Sequence, residues 1–65
     1  MTKYYDPIGT YKAYSNDGKK LFSESGETIG HFLNGFLYDT KGTALGHVMG
    51  KRILDKRGQL LYYSD

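Results

Sequence analysis

The sequence predicts an all-β domain over residues 1–65, in which four short β-hairpins have a pseudo-fourfold arrangement. Two observations predict it. A sixteen-residue unit is written twice, as GETIGHFLNGFLYDTK from Gly26 and GTALGHVMGKRILDKR from Gly42, and it begins again at Gly58 as GQLLYYSD. Turn glycines also recur every seven to nine residues. The segments between them are too short for a typical helix and suit strands of about five or six residues.

Two kinds of turn alternate along the chain. Corners of the form Asp/Ser-x-x-Gly fall at residues 6–9, 23–26, 39–42 and 55–58. Between the corners lie tight turns centred on Asp17-Gly18, Asn34-Gly35 and Gly50-Lys51. This alternation predicts three complete hairpins over residues 10–22, 27–38 and 43–54, with half a hairpin left at each end. We expect the N- and C-terminal strands to form the fourth hairpin and close the sheet, since closure removes exposed strand edges.

Repeat-equivalent positions predict the core. Two successive positions before each corner are apolar or aromatic in every unit. The first set is Tyr4, Leu21, Leu37 and Ile53, and the second is Tyr5, Phe22, Tyr38 and Leu54. Gly30 and Gly46 are also equivalent, which predicts close approach of strands there. The pattern leaves open which set faces inward, because a one-residue shift of register exchanges the two faces of a strand.

The corners DPIG, SESG, DTKG and DKRG, with the interior motifs ETIGHFLNGFLYD and TALGHVMGKRILD, resemble those of the four-fold β-flower family. The resemblance covers nearly the whole chain. It implies a ring of β-hairpins with approximate fourfold symmetry, and it supplies no catalytic residue. Residues 36–61 are also similar to a PRC-barrel strand pair of the form D-x-x-G-x-x-L-G-x-V, over less than half of the chain.

Composition limits the classes of function. The 65 residues contain no cysteine, which excludes disulfides and thiolate metal sites. A core this small needs help from closure of the sheet or from oligomerisation. No window approaches the roughly 18 apolar residues of a membrane span, and the opening MTKYYDPIG lacks the apolar run of a signal peptide. We therefore expect a soluble, cytoplasmic protein with no membrane segment.

The two histidines occupy equivalent places in neighbouring repeats, where the outer repeats carry tyrosine. A ring of Tyr14, His31, His47 and Tyr63 facing the axis would form a small polar cup for a metal, an anion or a polar group. Zinc ordinarily needs three or four nitrogen, sulfur or carboxylate ligands, so we predict no metal site. The favoured interpretation is that repetition copied a half-buried histidine. The ring remains the candidate ligand site.

The residues that could support catalysis have simpler explanations. Asp6, Asp39 and Asp55 begin turns, where an aspartate accepts hydrogen bonds from the backbone two residues on. No serine lies in a G-x-S-x-G context, and no phosphate-binding G-x-x-x-x-G-K-[ST] motif occurs. We therefore predict no enzyme, no catalytic residue and no cofactor.

The leading hypothesis is a non-enzymatic interaction or ligand-binding module that self-associates, with a dimer favoured and Phe36, Phe32 or the Tyr62-Tyr63 pair near the contact. One alternative is a single-stranded nucleic-acid-binding module, since tyrosines alternate with lysines as in Lys3-Tyr4-Tyr5. Nucleic acid is disfavoured by a net charge of only +2 and by the core-equivalent positions of those tyrosines. Another alternative is a small inhibitor or accessory protein that binds a larger partner or a small signalling molecule.

Overall fold

Eight antiparallel strands form one closed barrel. The structure is a computed structural model that describes residues 1–65. The strands are β1 Thr2–Tyr5, β2 Tyr11–Ser15, β3 Lys20–Ser23, β4 Thr28–Leu33, β5 Phe36–Asp39, β6 Ala44–Met49, β7 Arg52–Leu54 and β8 Leu60–Ser64. β1 pairs with β8, with Tyr4 opposite Ser64. The predicted all-β fold, with terminal strands that close the ring, is confirmed. No helix is long and apolar enough to cross a membrane.

The corners are hairpin turns that share one set of hydrogen bonds. In the third corner, the Gly42 N–H donates to the Asp39 carbonyl at 3.0 Å, and the Asp39 N–H donates to the Thr43 carbonyl at 2.8 Å. The Asp39 carboxylate accepts from the N–H groups of Lys41 and Thr43, both at 2.9 Å. Asp6 and Asp55 make the equivalent pairs of bonds. Strands therefore pair across the corners as well, and the sheet is continuous around the barrel.

The tight turns at the other end of the barrel follow the chemistry that their residues predict. Asn34 and Gly35 both have positive φ, at 52° and 82°, as a type I′ turn requires. In the next unit only the first central residue, Gly50, has positive φ, at 61°, which is the type II′ pattern. The longer first turn is held by Asp17, whose carboxylate accepts from two backbone N–H groups. Those bonds lower the pKa of Asp17.

A β-bulge follows each corner. In the pairing of β3 with β4, Leu21 lies opposite Gly30 and Phe22 opposite Thr28, so Ile29 has no partner. The same irregularity recurs in the pairings of β1 with β2, β5 with β6 and β7 with β8. Ile29 packs against the core and Gly30 is buried, so two consecutive residues face inward. The bulge thereby reverses the alternation of the strand beyond it.

The core is small. Its fully buried apolar side chains are Ala13, Leu21, Leu37 and Ile53. Tyr4, the fourth member of the set that contains the leucines, also faces inward and packs on Phe32, with ring centroids 6.0 Å apart. The other predicted set, which includes Tyr5 and Tyr38, faces outward. The structure thus shows that the first set faces inward and the second outward, which the sequence pattern left open.

Gly30 and Gly46 bring neighbouring strands together, as predicted. A Cβ on Gly30 would collide with the Tyr38 carbonyl oxygen, and one on Gly46 would collide with the Leu54 carbonyl oxygen. Both obstacles are backbone atoms, which cannot move aside as a side chain can. Close packing at these glycines therefore depends on the absence of a side chain.

Candidate functional site

The four predicted ring residues point away from the barrel axis. Tyr14, His31, His47 and Tyr63 lie on β2, β4, β6 and β8. His31, for example, lies between the buried Gly30 and the core-packed Phe32. Because side chains alternate along a strand, His31 must face outward. The hypothesis that the ring converges on a polar cup at the axis is therefore wrong. The interior is filled by Leu21, Leu37 and Ile53 instead.

Each ring residue instead lies opposite a residue of its neighbouring strand. Tyr14 stacks on Phe22 at 5.4 Å between ring centroids, and His31 stacks on Tyr38 at 5.5 Å. The remaining two lie in the pairs Tyr63 with Tyr5 and His47 with Leu54. No group of three or more His, Cys, Asp or Glu side chains is placed to hold a metal ion. The four side chains thus form four separate outward pairs, and this arrangement favours packing over a shared site.

Outward residues form four equivalent rows around the barrel, each running across four strands. Adjacent members are opposite one another in the strand pairing. The rows are Lys3-Tyr14-Phe22-Thr28, Lys20-His31-Tyr38-Ala44, Phe36-His47-Leu54-Leu60 and Arg52-Tyr63-Tyr5-Tyr11. The first residue is a cation in three of these rows, and it is Phe36 in the remaining row. Departures from the repeat therefore show where one side of the barrel differs from another.

One side of the barrel has exposed apolar side chains, and we call it the apolar face. It consists of Leu33, Phe36, His47 and Met49, with Tyr38 beside them. Leu33 lies opposite Phe36, and Phe36 lies opposite His47. The exposed fractions of Leu33, Phe36 and Met49 are 53%, 45% and 57%. The positions equivalent to Leu33 and Met49 elsewhere are Asn16 and Asp65, so this concentration of apolar surface occurs once.

The side formed by β7, β8, β1 and β2 carries tyrosines and cations, and we call it the tyrosine face; it adjoins the apolar face where Arg52 lies opposite Met49. It consists of Lys3, Tyr5, Tyr11, Arg52 and Tyr63. Ring centroids lie 5.6 Å apart for Tyr5 and Tyr63 and 6.2 Å apart for Tyr5 and Tyr11. The Lys3 ammonium lies 5.7 Å from the Tyr11 ring centroid, and Arg52 lies opposite Tyr63. Three aromatic rings in one row thus have a cation near each end.

A cleft of about 550 Å³ opens beside the tyrosine face. Its lining includes Lys51, Arg52 and Tyr63, with Pro7 from the first corner and Leu60 from β8. The Tyr63 hydroxyl reaches the first corner, since a Cβ on Gly9 would lie 3.4 Å from it. The cleft therefore combines an aromatic ring, an apolar wall and two cations.

The three predicted interface residues do not share a surface. Phe32 and Tyr62 are half-buried and pack against the core, whereas Phe36 is exposed. Burial is also the main cause of the raised pKa of Tyr62, with smaller contributions from Glu24 and Asp6. Alternation turns Phe32 and Tyr62 toward the core, so of the three residues they offer the less accessible side chains. Phe36, with an exposed fraction of 45%, is the most accessible of the three.

Sequence reasoning missed Leu33, Met49 and Arg52 as surface determinants. For Leu33 and Met49 a signal was present, because the equivalent positions in the outer units are Asn16 and Asp65; Arg52 gave none, because Lys3 and Lys20 at equivalent positions are cations too. It also placed Tyr5 with the core, since Tyr5 is equivalent to Phe22 and Leu54. That misplacement weakened the case for the tyrosine face, because the row of rings needs Tyr5 at its centre.

Comparison with known proteins agrees with this architecture. The family described as 4-fold beta flower protein matches residues 2–65. No curated protein and no solved structure matches the chain. The family match spans the four corners and both terminal strands, and these are the features that make four hairpin units close into one barrel. The chain belongs to the 4-fold beta flower protein family.

Proposed function

We propose that the protein is a non-enzymatic interaction module that forms a dimer through its apolar face. The observation that supports this proposal is the exposure of Leu33, Phe36 and Met49 on adjacent strands of one side. Exposed apolar side chains grouped on one side of a small protein are typical of a protein contact. Scattered apolar residues, such as Ile8 in the first corner, carry no such implication.

A second copy of the chain is the partner that this face fits best. The barrel is closed, so no strand edge is free to pair with another chain, and association must use side chains on a face. A twofold dimer brings the same patch of both copies together. Since the equivalent positions on other sides are polar or charged, the assembly stops at two copies and does not extend into a filament.

The dimensions are sufficient for such a contact. A stable interface buries about 800 Å² on each partner. That area is less than a fifth of the 4418 Å² accessible surface of the chain, so one side of the barrel can supply it. Burial of apolar area contributes about 25 cal/mol per Å². Association would therefore add to the stability of a barrel that has only four fully buried apolar side chains.

The test is the oligomeric state of matched variants. Phe36→Lys places lysine where the second row already has Lys20, so the barrel can accommodate it. Ile8→Lys is the matched control, because it adds the same charge at a residue that is 88% exposed in a corner. In sedimentation experiments at micromolar concentration we expect the unaltered protein and Ile8→Lys to be dimeric and Phe36→Lys to be monomeric. A monomeric unaltered protein, or an equal effect of both substitutions, would refute the proposal.

A further inference from the structure

We infer that the tyrosine face binds single-stranded nucleic acid. Bases stack on aromatic rings, and cations beside those rings contact the phosphates. Tyr63, Tyr5 and Tyr11 supply three consecutive rings with centroids 5.6 and 6.2 Å apart. Lys3 and Arg52 lie near opposite ends of this row, and Lys51 lines the adjoining cleft.

The register of β1 removes one objection to this inference. If both Tyr4 and Tyr5 belonged to the core, neither ring could meet a base. Tyr4 does face inward, against Phe32, but Tyr5 faces outward between Tyr63 and Tyr11. The row of three rings therefore lies on the outer face of the barrel, where each ring is half-buried. The low net charge of the chain matters less than the local arrangement, because two cations lie in this face and Lys51 lines the cleft beside it.

Other groups at this face limit the affinity. The Asp65 carboxylate lies close enough to Tyr5 to raise the pKa of its hydroxyl, after burial, which has the larger effect. This negative charge would repel a phosphate. Asp6 is also nearby in the first corner, but its carboxylate accepts hydrogen bonds from the Ile8 and Thr10 N–H groups. We therefore expect binding that is measurable at low salt and strengthened by Asp65→Asn.

The repeat supplies matched variants for the test. Tyr5→Leu removes the central ring, and leucine is already present at the equivalent Leu54. Its control is Tyr38→Leu, at the equivalent position on the other side of the barrel. Arg52→Gln removes a cation of the tyrosine face, and Lys20→Gln removes one at the equivalent position elsewhere. Each control changes the same kind of side chain and the same net charge as its partner.

The assay is fluorescence anisotropy of a labelled oligothymidine of about eight nucleotides, within the roughly 4–16 nucleotides that OB-fold barrels hold. Tyr5→Leu should weaken binding between about fivefold and a hundredfold, the range expected for one lost stacking contact. Three phosphate contacts predict a slope of about −2 in log K against log salt concentration, and Arg52→Gln should reduce its magnitude by about 0.7. The two controls should change affinity by less than about twofold.

Three results would overturn the inference. They are no binding by the unaltered protein at low salt, equal losses in the variants and their controls, and equal affinity for a duplex of the same length. Folding is checked for each variant by circular dichroism, and Asp65→Asn provides a variant that is expected to gain affinity. The inference does not depend on the proposed dimer, because a monomeric Phe36→Lys variant keeps the whole tyrosine face.

Discussion

Replacing Gly30 with alanine tests the close approach of β4 and β5. The added methyl group would collide with the Tyr38 carbonyl oxygen, and the Asp39 Cα is 3.2 Å from the same position. Overfilling a packed site typically costs about 1–3 kcal/mol. A backbone oxygen cannot rotate away, so the upper part of that range applies. Alanine also reduces the entropy of the unfolded chain, which returns about 0.4–1 kcal/mol. The net loss of stability is therefore about 2 kcal/mol.

That loss is large for this chain. At about 0.05–0.15 kcal/mol per residue, the 65 residues give a free energy of unfolding of about 3–10 kcal/mol. A loss of 2 kcal/mol should lower the midpoint of thermal unfolding by about 8–16 °C. The assay is thermal and urea unfolding followed by circular dichroism. Gly46→Ala should lower the midpoint by a similar amount, because its methyl group would collide with the Leu54 carbonyl oxygen in the same way.

Ala13 provides the reciprocal control. It occupies the position equivalent to Gly30 and is fully buried, so its methyl group already fits there. Ala13→Gly should cost about 1 kcal/mol through the greater entropy of the unfolded chain. If Gly30→Ala and Gly46→Ala unfold at or above the temperature of the unaltered protein, the argument from strand contact at these glycines is refuted.

Two further predictions concern the turns and the half-buried tyrosines. Asp39→Ala should lower stability by about 0.5–1.5 kcal/mol in urea unfolding, because two exposed N–H groups exchange the carboxylate for water, whereas Thr40→Ala in the same corner should have little effect. Burial raises the pKa of Tyr4 and Tyr62 above the ordinary 10.0, so above that pH the unfolded chain holds fewer protons than the folded protein. Stability should therefore fall as pH rises through 10.0, and less steeply in Tyr62→Phe; an unchanged pH profile would contradict this.

The turns were predictable because their residues report backbone conformation directly. An aspartate followed three residues later by glycine both caps the turn and supplies the positive φ that its last position requires, as at Asp39 and Gly42. Asn34-Gly35 likewise specifies a type I′ turn on local grounds. Once seven turns of two kinds are fixed, the number of strands and their antiparallel order follow, and closure follows from the half unit at each end.

Which side chains of each strand face inward was not predictable by the same means, because the bulges interrupt the alternation of inward and outward side chains. Ile29 and Gly30 both face inward, so a period of two counted from the corner gives the wrong face for His31 beyond them. Both residues before each corner are also apolar, as in Leu37 and Tyr38, so hydrophobicity does not separate inside from outside. Cross-strand stacking accounts for the outward aromatic residue, since Tyr38 packs on His31.

The barrel separates the positions that make the fold from the positions that distinguish one side from another. Leu21, Leu37 and Ile53 serve the same packing role in three units, and a change at any of them would affect the ring in the same way. Phe36 and Arg52 are also equivalent to one another, but both face outward. No shared packing role requires them to be alike. Phe36 lies on β5 in the apolar face, and Arg52 lies on β7 in the tyrosine face. The two faces meet where Met49 lies opposite Arg52, so a dimer formed through the apolar face would bring Arg52 to the rim of the contact and leave the row of Tyr63, Tyr5 and Tyr11 on the strands beyond it.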